Sequence, residues 1–492
     1  VPTSTTQTTQ AAVIGAGIAG IATAIRLAVK GYAVEVLEAN AYPGGKLSSF
    51  QLGDYRFDAG PSLFTLPQLV DELFVLAGKK PTDYFQYQKL PETCRYFYED
   101  GTRFVADAEP EKLAQTLEKY LGEPAESTRR HLRDSALKYD ITERLFLHRS
   151  LHKLGTYLNR DALKGYLNLH RLDAFRTMNR ANSTRFKDPR TVQLFNRYAT
   201  YNGSDPFRTP ATMNIIPHLE YNVGAYFPAG GMVAITNSLV RLAEDLGVQF
   251  HYQTPVRRIV TEGNRVTGLE VPAGFRPFGL VVSNMDVVST FRKLLPTAKP
   301  PERILRQPKS SSALIFYWGI NRRFSELGLH NIFFSQDYPT EFRYLFDKKT
   351  IHADPTVYLN ITSKYEPSDA PADGENWFVM VNAPANDGQD WDALIATTRA
   401  NIIQKLSRLL GADVASLIAC EAVLDPRLIE SRTSSAQGAL YGNSSNNRFA
   451  AFLRHANFSS QFRNLYFVGG SVHPGGGIPL CLLSARITAG LV

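Results

Sequence analysis

The run "AAVIGAGIAG", residues 11–20, constrains this chain more than any other stretch of it. A buried-strand pattern runs straight into glycines at 15, 17 and 20, the spacing G-x-G-x-x-G. Gly15 permits a tight turn, Gly17 lets a phosphate approach the backbone, and Gly20 lets a following helix pack on the strand. With Ile21, Ile25 and Ala28 on one face, the periodicity predicts a helix over 18–30 whose N-terminus points at a diphosphate. Gly31 stops that helix, and "AVEVLEA" reads as a second parallel strand ending at Glu38. An acid about 20 residues past such a turn suits a ribose hydroxyl and argues against the 2′-phosphate of NADP.

Residues beyond the second strand ask for a ligand longer than a nicotinamide cofactor. Gly44, Gly45 and Lys46 come directly after that strand. Alone they read as a tight turn with a surface lysine. Beside the first turn they offer a second loop close to the ligand and a cation for its diphosphate or flavin end. "YRFDAGPSLF" adds a loop at Gly60-Pro61, where Ser62 can bond a ring or a phosphate. At the far end of the chain, "NLYFVGGSVHPGGGIPLCLLSARITAGLV" carries another buried strand and a close-approach turn at Gly469 and Gly470. A second helix opens there near Gly477 and Ile478, offering its N-terminus to an anion or a polarised carbonyl. Loops stacked in this way point to FAD.

A chain of 492 residues exceeds what one hydrophobic core supports, so two domains are expected. The FAD-binding elements fall in three pieces, 11–98, 227–286 and 438–492. Between them lie 101–226, helical and basic, and 287–437, with strand-like runs "SALIFYWGI", "VYLNIT" and "WFVMVNAP". The expected fold is therefore α/β: a Rossmann-type FAD-binding domain with a second α+β substrate domain carrying an antiparallel sheet and a helical insertion. Residues 1–10 form a polar head expected to be disordered. Between 131 and 190 there are 13 Lys+Arg against 6 Asp+Glu, within a chain of net charge +8. Such a stretch is a solvated helical face or an attraction for nucleic acid, anionic lipid or acidic proteins. Leu147, Leu151, Leu154 and Leu158 repeat within it at helical spacing beside Arg149, Lys153 and Arg160, as a core face or a membrane contact. The head lacks the pattern of a signal peptide, and no apolar run is long enough to span a bilayer. Three widely spaced cysteines, Cys94, Cys420 and Cys481, suit a reducing compartment. The expectation is a cytoplasmic protein.

The ending Val468–Pro479, with His473 and Pro474 in place, resembles that of the bacterial phytoene-desaturase-type carotenoid desaturases, flavoproteins that share a fold with amine oxidases and with Rab GDP-dissociation inhibitors. The resemblance extends through the first 65 residues, "YNGSDPFRTPATM", "GAYFPAGGMVAITNSLVRLAEDLGVQF" and "VVSNMDV". It implies FAD held at its ADP half by Gly15, Gly17, Gly20, Glu38 and Lys46, with the backbone of Val256 meeting the adenine and with Gly45 and Asn284 also at the cofactor. Ser62 and Leu63 would lie near the flavin, and Gly469, Gly470, Gly477 and Ile478 would flank its ribityl and ring. One departure is Gly475-Gly476-Gly477, where the family often has a single small residue between glycines.

The implied activity is desaturation of a carotenoid, with oxygen or a quinone as electron acceptor and peripheral association with the inner membrane. The middle motifs look most like the flavobacterial branch acting at the 3,4 position of hydroxylated carotenoids such as 1′-hydroxy-γ-carotene. Phytoene desaturation and flavin-dependent isomerisation are the alternatives within the class, and a non-catalytic prenyl-lipid chaperone is one outside it. Desaturation needs a hydride acceptor, which no protein side chain provides. His473, Asp58 and Arg208 are the polar candidates for a catalytic part, and each could equally fix a loop. No metal-ligand spacing, nucleophile–base pair or nucleic-acid reading motif is present.

Overall fold

A computed structural model describes residues 9–157, 168–447 and 454–492. Its centre is a five-stranded parallel sheet in the order Leu465–Phe467, Leu280–Ser283, Gln10–Ile14, Ala33–Leu37, Gln249–His251. Parallel strands covered on both faces read as continuous apolar runs, and Ala11 through Ile14 are all buried. On one face lies the helix Ile18–Val29, packed between the sheet and the helices Val233–Asp245 and Ile478–Leu491. That position explains why Ile18 through Leu27 are buried all round instead of along one stripe. The other face carries an antiparallel meander, Arg258–Glu262, Arg265–Val271 and Gly274–Pro277. Its first hairpin turns at Gly263-Asn264, between the alternating runs Val256 to Val260 and Arg265 to Val271 that read in sequence as a hairpin.

The second layer system is a seven-stranded sheet in the order Ile418–Leu424, Ser312–Ile320, Glu375–Ala383, Val357–Ile361, His330–Phe333, Glu92–Phe97, Arg103–Asp107. All its pairings are antiparallel except the one between His330–Phe333 and Glu92–Phe97. Side chains alternate across it with period two. Trp377, Val379 and Val381 join a core that includes Ile402 and Leu406 of the helix Trp391–Leu410. Phe378, Met380 and Asn382, on the opposite face, line a large internal cavity.

Glu92–Phe97 falls within the first expected FAD segment, 11–98, and its partners make it part of the seven-stranded sheet. Alternation identifies a strand but not its neighbour. The four leucines do not share a continuous helix. The helix Ala125–Thr142 passes into a π-helical turn over Glu143–Leu147, and a short 3₁₀ turn comes only at Leu154–Thr156. Leu147 and Leu151 line the cavity. Leu158 and Arg160 lie outside the described residues, as do residues 1–8 of the head.

Candidate functional site

The first strand ends at Ile14, and Gly15, at φ +93°, makes the turn that only a residue without Cβ enters freely. The Gly15 N–H donates to the Leu37 carbonyl at 2.8 Å, tying the turn to the second strand. Glu38, buried at the end of that strand, accepts from the Ala16 N–H at 2.7 Å and from the backbone and amide of Asn40, each at 2.8 Å. The Gly44 N–H donates to the Ala16 carbonyl at 2.7 Å, so the Gly44-Gly45 loop rests on the Gly-rich turn. Thr254 donates to the Glu38 carbonyl at 2.8 Å and brings Val256 to the same rim. The helix starting at Ile18 has Gly17 at its N-cap and no side chain closing its first N–H groups.

A second uncapped N-terminus faces the same cavity. Gly477, at φ +100°, precedes the helix Ile478–Leu491, and a Cβ placed on it would meet no protein atom within 4 Å. Asn284, after the strand Leu280–Ser283, sits between the two turns. A Cβ on Gly17 would lie 2.6 Å from its Nδ2 and one on Gly469 2.8 Å from its Oδ1. The extra glycine of the triple has a local cause: a Cβ on Gly476 would lie 2.9 Å from the Tyr441 Cα.

Two cations are enclosed beside this second helix. Lys46 Nζ reaches the carbonyls of Ala439 and Leu440 at 3.3 and 3.2 Å, and burial lowers its pKa, opposed by Asp286. It thus contacts the C-terminal segment, although the resemblance put it at the ADP half. Arg454 donates to the carbonyls of Tyr441 and Gly470 at 2.7 and 3.2 Å, and burial brings its pKa down to about 10.

The cavity has a volume of about 760 Å³ and runs from Gly15, Gly17 and Glu38 past Ser62 and Leu63 into an apolar arm. Leu147, Leu151, Met213, Ile216, Leu219 and Ile332 line that arm. One wall of it is polar. Ser62 Oγ lies 2.7 Å from the Tyr358 hydroxyl, which lies 2.8 Å from His330 Nδ1. Nearby, Arg197 donates to the hydroxyls of Tyr96 and Tyr201 at 2.6 and 2.7 Å and pairs with Glu220 at 3.5 Å. Glu220 also accepts from Tyr198 and Tyr201, at 3.2 and 2.9 Å. Burial first, and Arg197 second, push the His330 imidazole down to about 3, so it is neutral.

Most residues expected at the cofactor meet on this cavity: Gly15, Gly17, Glu38, Gly45, Lys46, Ser62, Leu63, Val256, Asn284, Gly469, Gly470, Gly477 and Ile478 all line it. Gly20 does not. A Cβ there would lie 2.2 Å from the Gly15 carbonyl oxygen, so its role is packing beneath the turn. The three polar candidates are all engaged in holding structure. His473 lines the cavity, but its Nε2 donates to the Arg149 carbonyl at 3.0 Å, and burial lowers its pKa to about 4. Asp58 accepts from Met232 and Val233 at the start of the helix Val233–Asp245. Arg208 is paired with Asp205 and Asp347 and is not on the cavity. Arg197, His330, Tyr358 and Arg454 escaped the sequence reading. Each stands singly, in no recognisable spacing, and only sheet register and loop return bring them to the cavity.

The donor set suits a dinucleotide carrying a flavin. It offers two uncapped helix N-termini, an open backbone at Gly477 and two enclosed cations. Gly15, Gly17, Glu38, Gly45 and Val256 would hold the adenosine side, and Lys46, Asn284, Gly469, Gly470, Gly477 and Ile478 the remainder.

Comparison with known proteins agrees. The family model for flavin containing amine oxidoreductases matches residues 18–492. A 1-hydroxycarotenoid 3,4-desaturase from a Flavobacterium species is 51% identical over 98% of this chain and 99% of its own. A 4,4′-diapolycopene oxygenase from a Methylomonas species is 33% identical, covering 96% of each chain. Among solved structures, wild-type putrescine oxidase bound to putrescine overlays with a TM-score of 0.64 at 13% identity, covering 98% of each chain, a likeness of fold alone. An amine-oxidase-like α/β fold, the cofactor cavity and a family match over nearly the whole length coincide, and this chain belongs to the flavin containing amine oxidoreductases.

Proposed function

We propose that this protein is an FAD-dependent carotenoid desaturase that introduces a 3,4 double bond into a hydroxylated polyene. The observation that carries this reading is the continuity of the cavity, which joins two uncapped helix N-termini to a long apolar arm. The 51% identity to a protein of that activity supports it. Bound FAD supplies the hydride acceptor that side chains cannot be. The chain's own task is to hold an allylic C–H at one place and keep water away from it, which the apolar arm does.

Amine oxidation fits the arm poorly. Among the described lining residues the only carboxylates are Glu38 and Asp286, next to the Gly-rich turn and Asn284. The charged group on the arm is the cation Arg197, already paired with Glu220, so among the described lining residues the arm offers an ammonium no carboxylate. Phytoene desaturation and isomerisation keep the same cavity and differ in substrate and outcome.

The electron acceptor we infer is oxygen or a quinone. No described helix is long and apolar enough to cross a membrane. We infer that substrate is drawn from a membrane surface through the arm where Leu147, Leu151 and Ala174 line the cavity. The basic stretch 131–190 surrounds these residues, and Phe175, beside Ala174, is 89% exposed. Basic charge next to apolar side chains suits attachment to anionic lipid.

The test is anaerobic mixing of flavin-reconstituted protein with phytoene, lycopene and 1′-hydroxy-γ-carotene in turn, recording flavin bleaching and product spectra together. Bleaching and a red-shifted product with the hydroxylated polyene are expected. Isomerised product with oxidised flavin would replace the reading with isomerisation, and bleaching by phytoene alone would replace the substrate.

A further inference from the structure

Four cationic side chains line the cavity among the described residues: Lys46, Arg197, Arg432 and Arg454. Three of them have their charge answered. Asp286 faces Lys46, Glu220 pairs with Arg197 at 3.5 Å, and Arg432 is exposed to water. Arg454 differs. It is 2% exposed, it remains a cation at neutral pH, and no carboxylate pairs with it among the described residues. The one ionisable neighbour that favours its charge is the Cys481 thiol, which burial pushes up to about 11 and so keeps neutral. A charge this deep is costly without a partner, so the counter-charge is expected from outside the chain.

The guanidinium is held between two loops. Its Nη1 donates to the carbonyls of Tyr441 and Gly470 at 2.7 and 3.2 Å. Tyr441 follows Ala439 and Leu440, whose carbonyls meet Lys46, and Gly470 belongs to the turn that leads to the uncapped helix Ile478–Leu491. A Cβ on Gly475 would lie 3.2 Å from Arg454 Nε, so glycine leaves the guanidinium its place against that turn. Nε and Nη2 make no hydrogen bond among the described residues. Neither is sealed from water-sized space as Arg197 Nε is, so both open onto the cavity that Arg454 lines.

Two parts of FAD carry or acquire negative charge. The diphosphate is expected at Gly15 and Gly17, on the first turn, whereas Arg454 holds the second. The ring acquires its charge in the reaction. A hydride leaving the substrate brings two electrons and one proton to the flavin, which so gains one negative charge. The substrate's second hydrogen departs as a proton, and the oxygen or quinone inferred above takes the two electrons back. A fixed cation beside the place where charge develops favours the charged form, most of all where water is excluded.

We propose that bound flavin is the missing partner of Arg454: the free N–H groups of Arg454 bond the carbonyl edge of the ring, beside the N-terminus of Ile478–Leu491, and favour the reduced cofactor over the oxidised one. The inference goes beyond the desaturase reading and does not depend on which polyene reacts.

The experiment reduces the holoenzyme stepwise under argon against a reference dye and reads the ratio of reduced to oxidised flavin from absorbance. FAD dissociation constants come from fluorescence titration of the apoprotein. Flavin in the wild-type protein should be easier to reduce than free FAD, which by linkage means that the reduced cofactor binds more tightly. R454Q, which removes the charge, should lower the reduced-to-oxidised ratio at a given poise about tenfold or more. R454K, which retains it, should recover part of that loss. Flavin content and the thermal midpoint identify variants that have not folded, and the comparison of wild-type protein with free FAD then carries the test. Wild-type flavin that is harder to reduce than free FAD overturns the proposal. An unchanged ratio in folded R454Q also overturns it: with FAD affinity unchanged as well, Arg454 is a brace between two loops, and with affinity lowered, its charge serves the diphosphate. The expected ratios with no polyene desaturated would remove the desaturase reading and leave this one standing.

Discussion

Glu38 Oε2 accepts a hydrogen bond from the Ala16 N–H at 2.7 Å, within the Gly-rich turn itself. The carboxylate that a ribose would meet is thus also a brace for the loop that a diphosphate would meet. Glu38→Ala should lower FAD affinity by about ten- to a hundredfold, because it leaves the buried Ala16 donor unpaired at a cost of about 1–3 kcal/mol. The flavin-free protein should melt earlier as well. Fluorescence titration with FAD and melting of the apoprotein measure the two effects, and an unaltered apoprotein melt would confine Glu38 to the ligand.

Two glycine substitutions should separate packing from ligand space. Gly20→Ala pushes a Cβ to 2.2 Å from the Gly15 carbonyl, so overpacking of about 1–3 kcal/mol should lower the melting point with or without flavin. Gly477→Ala meets no protein atom, and its φ of +100° adds strain of about 1–3 kcal/mol. Its main effect should be lost flavin uptake. Equal loss of flavin uptake in both variants, with equal melts, would contradict the distinction.

Arg197→Leu should destabilise the protein by about 3–5 kcal/mol, since Glu220 would remain as an uncompensated buried charge. The double replacement of Arg197 and Glu220 by apolar residues should cost less than the sum of the single ones. Urea denaturation of the two single variants and the double variant closes the cycle.

Acid should destabilise the fold in a defined window. Burial depresses His473 and His455 to about 4 and His330 to about 3, against about 6.5 for an unfolded histidine. As pH falls below about 6.5, the unfolded chain takes up these protons before the folded one does. Stability is therefore present above that pH and is lost as pH falls toward about 4, each histidine contributing at most about 1.4 kcal/mol per pH unit. Asp205, raised by burial to about 6, acts in the opposite sense over part of the window. Urea midpoints at pH 7.5, 6 and 5 should fall in that order, and a flat series would mean that these rings already carry protons at neutral pH.

Local chemistry determined much of this protein in sequence alone. The strand, turn, helix, strand and acid of residues 11–38 each arise from short-range rules, and so do the hairpin at Gly263-Asn264 and the helix after Gly477. These features stand in the structure at the expected positions because turn geometry and apolar periodicity act over a few residues. Tertiary structure decided the rest. Lys46 belongs to a Gly-Gly-Lys loop in sequence, but its ammonium meets carbonyls nearly four hundred residues away. Glu92–Phe97 alternates like any strand, and only pairing with His330–Phe333 assigns it to the larger sheet. Arg197, His330 and Tyr358 are spread over some 160 positions and share one wall through helix packing and strand register. Side-chain direction in a strand has period two, so sequence specifies that His330 and Ile332 face together. Which face borders the cavity, and what stands opposite, depends on long-range packing that no local pattern encodes.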